Sequence, residues 1–272
     1  MNNKNNFHWD KGLIDKYIDK NQFEKLNTQD KNGTTGFIWA CQRQPELAMK
    51  MLERDDIDFN IQNKNGDAGF ILGCEHQPEL VIKMLERDDI DFNIQDKNGN
   101  TGFMVACINQ PDLAIKMLER KDINFNIQND GGNTGFMLAC RWQPVLALKM
   151  LERKDIDFNA QNKKGNTGFI LACVYQPEVA LKMLEKNNID LNAQNRNGDT
   201  GFMWACDHQS KLIIPLLESE KIDTTLKNIY GDTGWDIAEK HNPEGFRIYK
   251  NYLEKQKLSN NIKTKPFKSK PL

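Results

Sequence analysis

The side chains here best able to do chemistry are six cysteines and four histidines, and nearly all are placed by one ruler. Cys41, Cys74, Cys107, Cys140, Cys173 and Cys206 recur every 33 residues. His76, His208 and His241 share a second slot of the same period, and His8 stands apart. An even cysteine count invites disulfides, and regular spacing invites zinc. Geometry argues against both. Equivalent atoms in neighbouring layers of a helical stack lie about 8–10 Å apart. A disulfide needs Cα atoms within about 7 Å, and zinc sits about 2.3 Å from its thiolates. The same spacing keeps His208 and His241 from sharing a metal directly. Each cysteine follows alanine or glycine inside an apolar run. The thiols therefore read as small buried hydrophobes, suited to a reducing compartment.

Catalysis finds no foothold. The chain lacks a Gly-x-Ser-x-Gly elbow, a His-Glu-x-x-His pair and a phosphate-binding loop. Its carboxylates recur as pairs such as Asp88-Asp89, whereas an active site is a singular constellation. The reading is a non-enzyme with no catalytic residues, no metal, no cofactor and no small-molecule substrate.

Composition narrows the partners. Lys+Arg number 37 against 38 Asp+Glu, a net charge of −1, which gives no argument for nucleic acid or an anionic membrane. No apolar run approaches the roughly 18 residues of a membrane-crossing helix, and Met1-Asn2-Asn3-Lys4-Asn5-Asn6 lacks the apolar core of a secretory signal. A monomer in the cytoplasm is expected.

The elements that hold these residues repeat without insertion. Gly33, Gly66, Gly99, Gly132, Gly165, Gly198 and Gly231 mark seven units, and a fixed period of this length means one small structure stacked on copies of itself. In the second unit, Lys64-Asn65-Gly66-Asp67 predicts a tight turn, because glycine and asparagine accept positive φ. Phe70-Ile71-Leu72-Gly73-Cys74 is apolar on every side, as a helix between neighbours must be. Pro78 opens a second helix, whose Leu80, Val81, Met84 and Leu85 share a face. Glu79 and Lys83 are expected to pair at i,i+4. Asp88 to Gln95 alternates, predicting an extended return to the next turn.

These features resemble the ankyrin repeat, with its 33-residue period, its Thr-Pro-Leu-His-x-Ala signature and a return like Ile90-Asp91-Phe92-Asn93. The resemblance spans residues 30–255. It implies an all-α solenoid of helix-turn-helix units joined by β-hairpin-like loops, with repeats at 30–62, 63–95, 96–128, 129–161, 162–194, 195–227 and 228–255. The departures are systematic. The family proline is glycine at 36, 69, 102, 135, 168, 201 and 234, and the leucine is phenylalanine in six units and Trp235 in the last. The histidine is replaced, so its hydrogen bonds are lost. An altered start to the first helix is expected, with burial of a phenylalanine ladder compensating. The style is also similar to repeat arrays of large DNA viruses, which would place the protein in host cytoplasm.

The ends differ from the units. Residues 1–29 read as a leader with a capping helix in which Leu13, Ile14, Tyr17 and Ile18 form an apolar face. Phe246, Ile248, Tyr249, Tyr252 and Leu253 belong to a longer final helix, and residues 256–272 read as a basic, disordered tail.

Differences between copies show what packing leaves free. The two slots after the cysteine change almost every time: Gln42-Arg43, Glu75-His76, Ile108-Asn109, Arg141-Trp142, Val174-Tyr175, Asp207-His208 and Lys240-His241. In ankyrin arrays they close the helix that lines the concave face. The candidate partner-binding residues are therefore Arg43, Glu75, His76, Ile108, Asn109, Arg141, Trp142, Val174, Tyr175, Asp207 and His208. Trp142, Tyr175, Arg141 and Ile108 have the composition of an interface centre. The expected function is a scaffold that grips a protein partner on this face, centred on the fourth and fifth units. The alternative is a spacer or adaptor that docks through its ends.

Overall fold

The computed structural model describes residues 7–263, with side chains as far as residue 257. These residues fall into two compact units divided between Asp157 and Phe158. Among them are fifteen α-helices, a short 3-10 helix and no β-strand.

In the first unit, α1 (Lys11–Asp19) and the 3-10 helix Phe23–Asn27 precede four helix pairs: α2/α3 (Gly36–Arg43, Pro45–Met51), α4/α5 (Gly69–His76, Pro78–Met84), α6/α7 (Gly102–Asn109, Pro111–Met117) and α8/α9 (Gly135–Trp142, Pro144–Met150). First helices pack on first helices and second on second. The second unit repeats the scheme with α10/α11 (Gly168–Tyr175, Pro177–Met183), α12/α13 (Gly201–His208, Ser210–Glu218) and α14/α15 (Gly234–His241, Pro243–Lys263).

Local chemistry sets each boundary. A buried threonine caps the first helix: Thr101 Oγ1 accepts the Met104 N–H at 3.3 Å, as Thr35, Thr134, Thr167, Thr200 and Thr233 do in their units. Ala68 holds the same backbone conformation with no side-chain cap. A glutamine before proline ends most first helices, because proline drives the preceding residue out of the helical region; Gln110 sits at φ −139°. The proline then opens the second helix, where its missing N–H costs nothing.

The altered helix start has a specific cause. A Cβ on Gly102 would lie 2.4 Å from Phe70 Cε1 of the preceding repeat, and one on Gly69 equally close to Phe37. The ring fills the space a proline would occupy. Glycine and phenylalanine are thus one exchange for the family's proline and leucine. Phe70 in turn meets Phe92 edge-on, with centroids 4.8 Å apart, and each buried ring contributes about 1.5–3 kcal/mol.

The turns depart from expectation in one respect. Gly99 sits at φ +74°, but no asparagine before these glycines has positive φ. Gly99 N–H bonds Asp96 O and Asp96 N–H bonds Asn100 O, so glycine provides the bulge after an ordinary turn. The Asp96 carboxylate also accepts the N–H groups of Asn98 and Asn100.

Three other expectations are corrected. The return from Asp88 to Gln95 is not a strand; within the first unit its β-type pairing is the isolated bridge from Gln95 to Thr101. Ile90 and Phe92 do alternate into the core, but the Asn60 carboxamide takes the Asp91 N–H and bends the chain. Lys83 pairs with Glu86 at 2.9 Å rather than with Glu79. Finally, α15 runs through Lys263, because residues 254–258 are strong helix formers without glycine or proline. The tail reading thus fails for residues 256–263, and its remainder lies outside the described residues.

The leader packs on the chain that follows it. Trp9 and Ile14 are buried, and the Trp9 Nε1–H donates to Thr28 O at 3.2 Å and Thr34 O at 2.9 Å.

Candidate interaction surface

The cysteine slot is structural. All six cysteines are buried and none forms a disulfide, and burial pushes the Cys41, Cys107 and Cys173 thiols up, away from the reactive thiolate. Among the described residues no cluster of His, Cys, Asp and Glu is arranged to hold a metal.

Side chains that repeat along the sequence staple one layer to the next. Asn60 Nδ2 donates to Asp89 O at 2.8 Å while its Oδ1 accepts the Asp91 N–H, and Asn27, Asn93 and Asn126 do the same in the first unit. Gln62 bridges Gly66 O and Gln95 O. The turn tips themselves join, as in Lys97 N–H to Asn65 O at 2.8 Å. In the first unit an arginine completes the layer. Arg87 lies 4.8 Å over the Phe59 ring, donates to Leu52 O and pairs with Asp89 and Asp55. Arg120 repeats this on Phe92 and Leu85 O, and Arg153 on Phe125 and Leu118 O. The hydrogen bond from its arginine holds each of Asp89, Asp122 and Asp155 below the usual carboxylate range. Asp89, Asp122 and Asp155 thus orient the arginine of their own repeat, while Asp55 and Asp88 meet the arginine of the next.

Against this regular side stand the variable slots, at the last turn of each first helix. In the first unit Arg43, Glu75, His76, Ile108, Asn109, Arg141 and Trp142 are all exposed. His76 faces Glu75 at 3.6 Å, and the Arg141 guanidinium lies 4.6 Å over the Trp142 ring. Ile108, Trp142 and Val145 are each about half or more exposed, at 48%, 52% and 61%. That is a concentration of large apolar groups on one stretch of surface.

In the second unit Tyr175 and His208 are exposed, and Val174 and Asp207 are half-buried. Asp207 joins two histidines, with His241 Nδ1 at 3.1 Å and His208 Nε2 at 3.2 Å. Two adjoining hollows lie here. One of about 530 Å³ is lined by Val174, Tyr175, Trp204 and the turn residues Lys163, Lys164 and Arg196. The other, of about 170 Å³, is lined by Trp204, Asp199, Asp207, Asp232, Tyr230 and His241.

Trp204 escaped the sequence reading. It belongs to a slot reading Trp39, Leu72, Val105, Leu138, Leu171, Trp204 and Ile237, which stays apolar while its size varies. In a helix that is otherwise buried, that variation was the available signal.

A stack of capped helix pairs, bound layer to layer by turn tips and side-chain amides, is the architecture of the ankyrin class. Residues 70–162 match the sequence model for ankyrin repeats, in three copies, so this stretch carries ankyrin repeats. A sequence search of curated proteins returns no match. Among solved structures, the fold is similar to a chain of the complex "Bd0816 Predatory Endopeptidase from Bdellovibrio bacteriovorus in complex with immunity protein Bd3460". There the TM-score is 0.58 at 24% identity, over 70% of this chain and 98% of that one. It is also similar to the ankyrin repeat domain of Bcl-3, a member of the IkappaB protein family, with TM-score 0.63, 19% identity and coverage of 81% and 100%. At these identities the likeness establishes the fold.

Proposed function

We propose that this protein is a non-enzymatic scaffold that binds a partner protein through the exposed ends of its first helices and the adjoining turn tips. One observation carries the reading. Variation between copies concentrates in slots that are largely exposed and include Ile108, Trp142 and Tyr175, while the turn glycines and the asparagine bridges between layers are nearly constant. Exposed Trp and Tyr flanked by Arg match the residues on which interfaces most depend. Ankyrin repeats generally mediate protein–protein contact, and of the two similar structures one is a chain of an endopeptidase–immunity protein complex and the other a member of the IkappaB protein family. Docking through the leader has less support, since Trp9 and Ile14 are already buried against the chain's own first repeats. In the same reading the protein works in a reducing interior, where six buried cysteines outside any disulfide are stable.

The test replaces Trp142 and Tyr175 by alanine, singly and together, and measures capture of protein partners from the native cell. Capture should fall while the unfolding free energy changes by less than about 0.5 kcal/mol, as at other exposed positions. Undiminished capture with both rings absent would remove these slots from the binding surface.

A further inference from the structure

The two hollows beside Trp204 carry opposite charge. Lys163, Lys164 and Arg196 line the larger, no carboxylate lines it, and none of these three cations makes an ion pair among the described residues. Asp199, Asp207 and Asp232 line the smaller; Asp232 has Lys240 at 2.6 Å, and Asp207 faces only histidines. Trp204 lines both, and its Nε1–H is buried without a hydrogen-bond partner. Buried donors are ordinarily paired, so an occupant that offers an acceptor after a small shift of the indole satisfies a group the free protein leaves unmet.

The walls specify an occupant. Tyr175, Val174 and the indole offer apolar faces to a side chain, while the three cations call for a carboxylate. A nucleic-acid strand fits poorly, since its next phosphates would meet the aspartates of the second hollow. A peptide can reverse its charge where a nucleic acid cannot. The hollows belong to successive repeats, offset by about 8–10 Å. An extended peptide advances about 3.3 Å per residue, so the two charges it presents stand about three residues apart.

We infer that the second unit binds an extended segment of a partner protein, with an acidic side chain among Lys163, Lys164 and Arg196 and a basic side chain about three residues away beside Asp199 and Asp207. This rests on the protein-binding reading and names the kind of segment bound.

The experiment titrates the whole chain into fluorescein-labelled decapeptides of neutral background, read by anisotropy. The panel holds Glu and Lys three positions apart in both orders, the Glu→Gln and Lys→Gln versions, and a deoxyoligonucleotide of matched length. One order of the Glu/Lys peptide should bind best. Glu→Gln should weaken it about tenfold or more, as should K164E or R196E in the protein, and raised salt should weaken it further. Should a protein variant fail to fold, the Glu→Gln peptide makes the same comparison on the unaltered chain. Tighter binding of the oligonucleotide, or equal binding of the Glu→Gln peptide, overturns the inference. No peptide binding, with partner capture intact in K164E and R196E, overturns it and leaves the scaffold reading standing. Absence of both peptide binding and any protein capture by the unaltered chain removes both.

Discussion

The two compact units share one repeat and use it differently. In the first, successive arginines cover a phenylalanine and hook a carbonyl of the preceding layer, Arg87 to Leu52, Arg120 to Leu85 and Arg153 to Leu118. In the second, the arginine slot reads Lys186 and then Ser219, and the ring slot passes from Phe158 to Leu191 and Thr224. Lys221 partly replaces the arginine by donating to Leu184 O at 2.8 Å. Both hollows and the unpaired indole N–H lie in this less regular unit. The threonine caps, asparagine bridges and turn-tip bonds are common to both. The asparagine bridges and turn-tip bonds thus join layers in both units, and the arginine staple is an addition that the second unit lacks.

Substitutions can break or sharpen this contrast. The largest effect should come from the exchange of proline for glycine and leucine for phenylalanine. Gly102→Ala drives a methyl group into Phe70 and should cost about 1–3 kcal/mol in denaturant unfolding. Adding Phe70→Leu should recover part of that loss, a positive coupling in a double-mutant cycle; strictly additive losses would show that the ring does not dictate the glycine. Next, Arg120→Ala should cost about 1–2 kcal/mol, because a part-buried, charge-assisted bond is lost. Lys221→Ala, at an exposed site, should cost less than about 1 kcal/mol. Equal losses would erase the distinction between the units. Ala68→Thr should stabilise by about 1 kcal/mol, since the backbone already holds the capping conformation of Thr101.

The smallest effect is with pH. Asp89, Asp122 and Asp155 have folded-state pKa values below their unfolded ones, chiefly through arginine hydrogen bonds. Their contribution is complete above about pH 4–5 and is lost as pH falls through the unfolded value near 3.9 and on through the lower folded values. Asp122→Asn should make the acid limb of the stability profile shallower. Hydrogen exchange at pH 3 should report the loosening in the first unit.

Much of the fold was legible in the sequence because the period is strict. A glycine every 33 residues fixed the layers, and the proline fixed the second helix. The return strand was misread because alternation reports burial, not pairing, and the Asn60 carboxamide that bends it comes from 31 residues earlier. The arginine staples were hidden for a similar reason. Arg87-Asp88-Asp89 looks like solvated surface until the preceding layer supplies Phe59 and Leu52 O. The variable slots were legible from comparison between copies, since packing constrains every copy alike. Trp204 was not, because its slot varies in size while staying apolar, which resembles a tolerant core position. The hollows themselves depend on turn tips and helix faces of successive repeats, a neighbourhood no single repeat encodes.

Amide hydrogen exchange of the whole chain, free and with a captured partner, tests the central claim most directly. The account predicts new protection at the last turns of the first helices, around residues 108–109, 141–142, 174–175 and 207–208, and at the turn tips near 163–164 and 196. The layer-joining returns, such as residues 88–94 and 121–127, should be unchanged. Protection confined to those returns, or to the leader and the final helix, would contradict it.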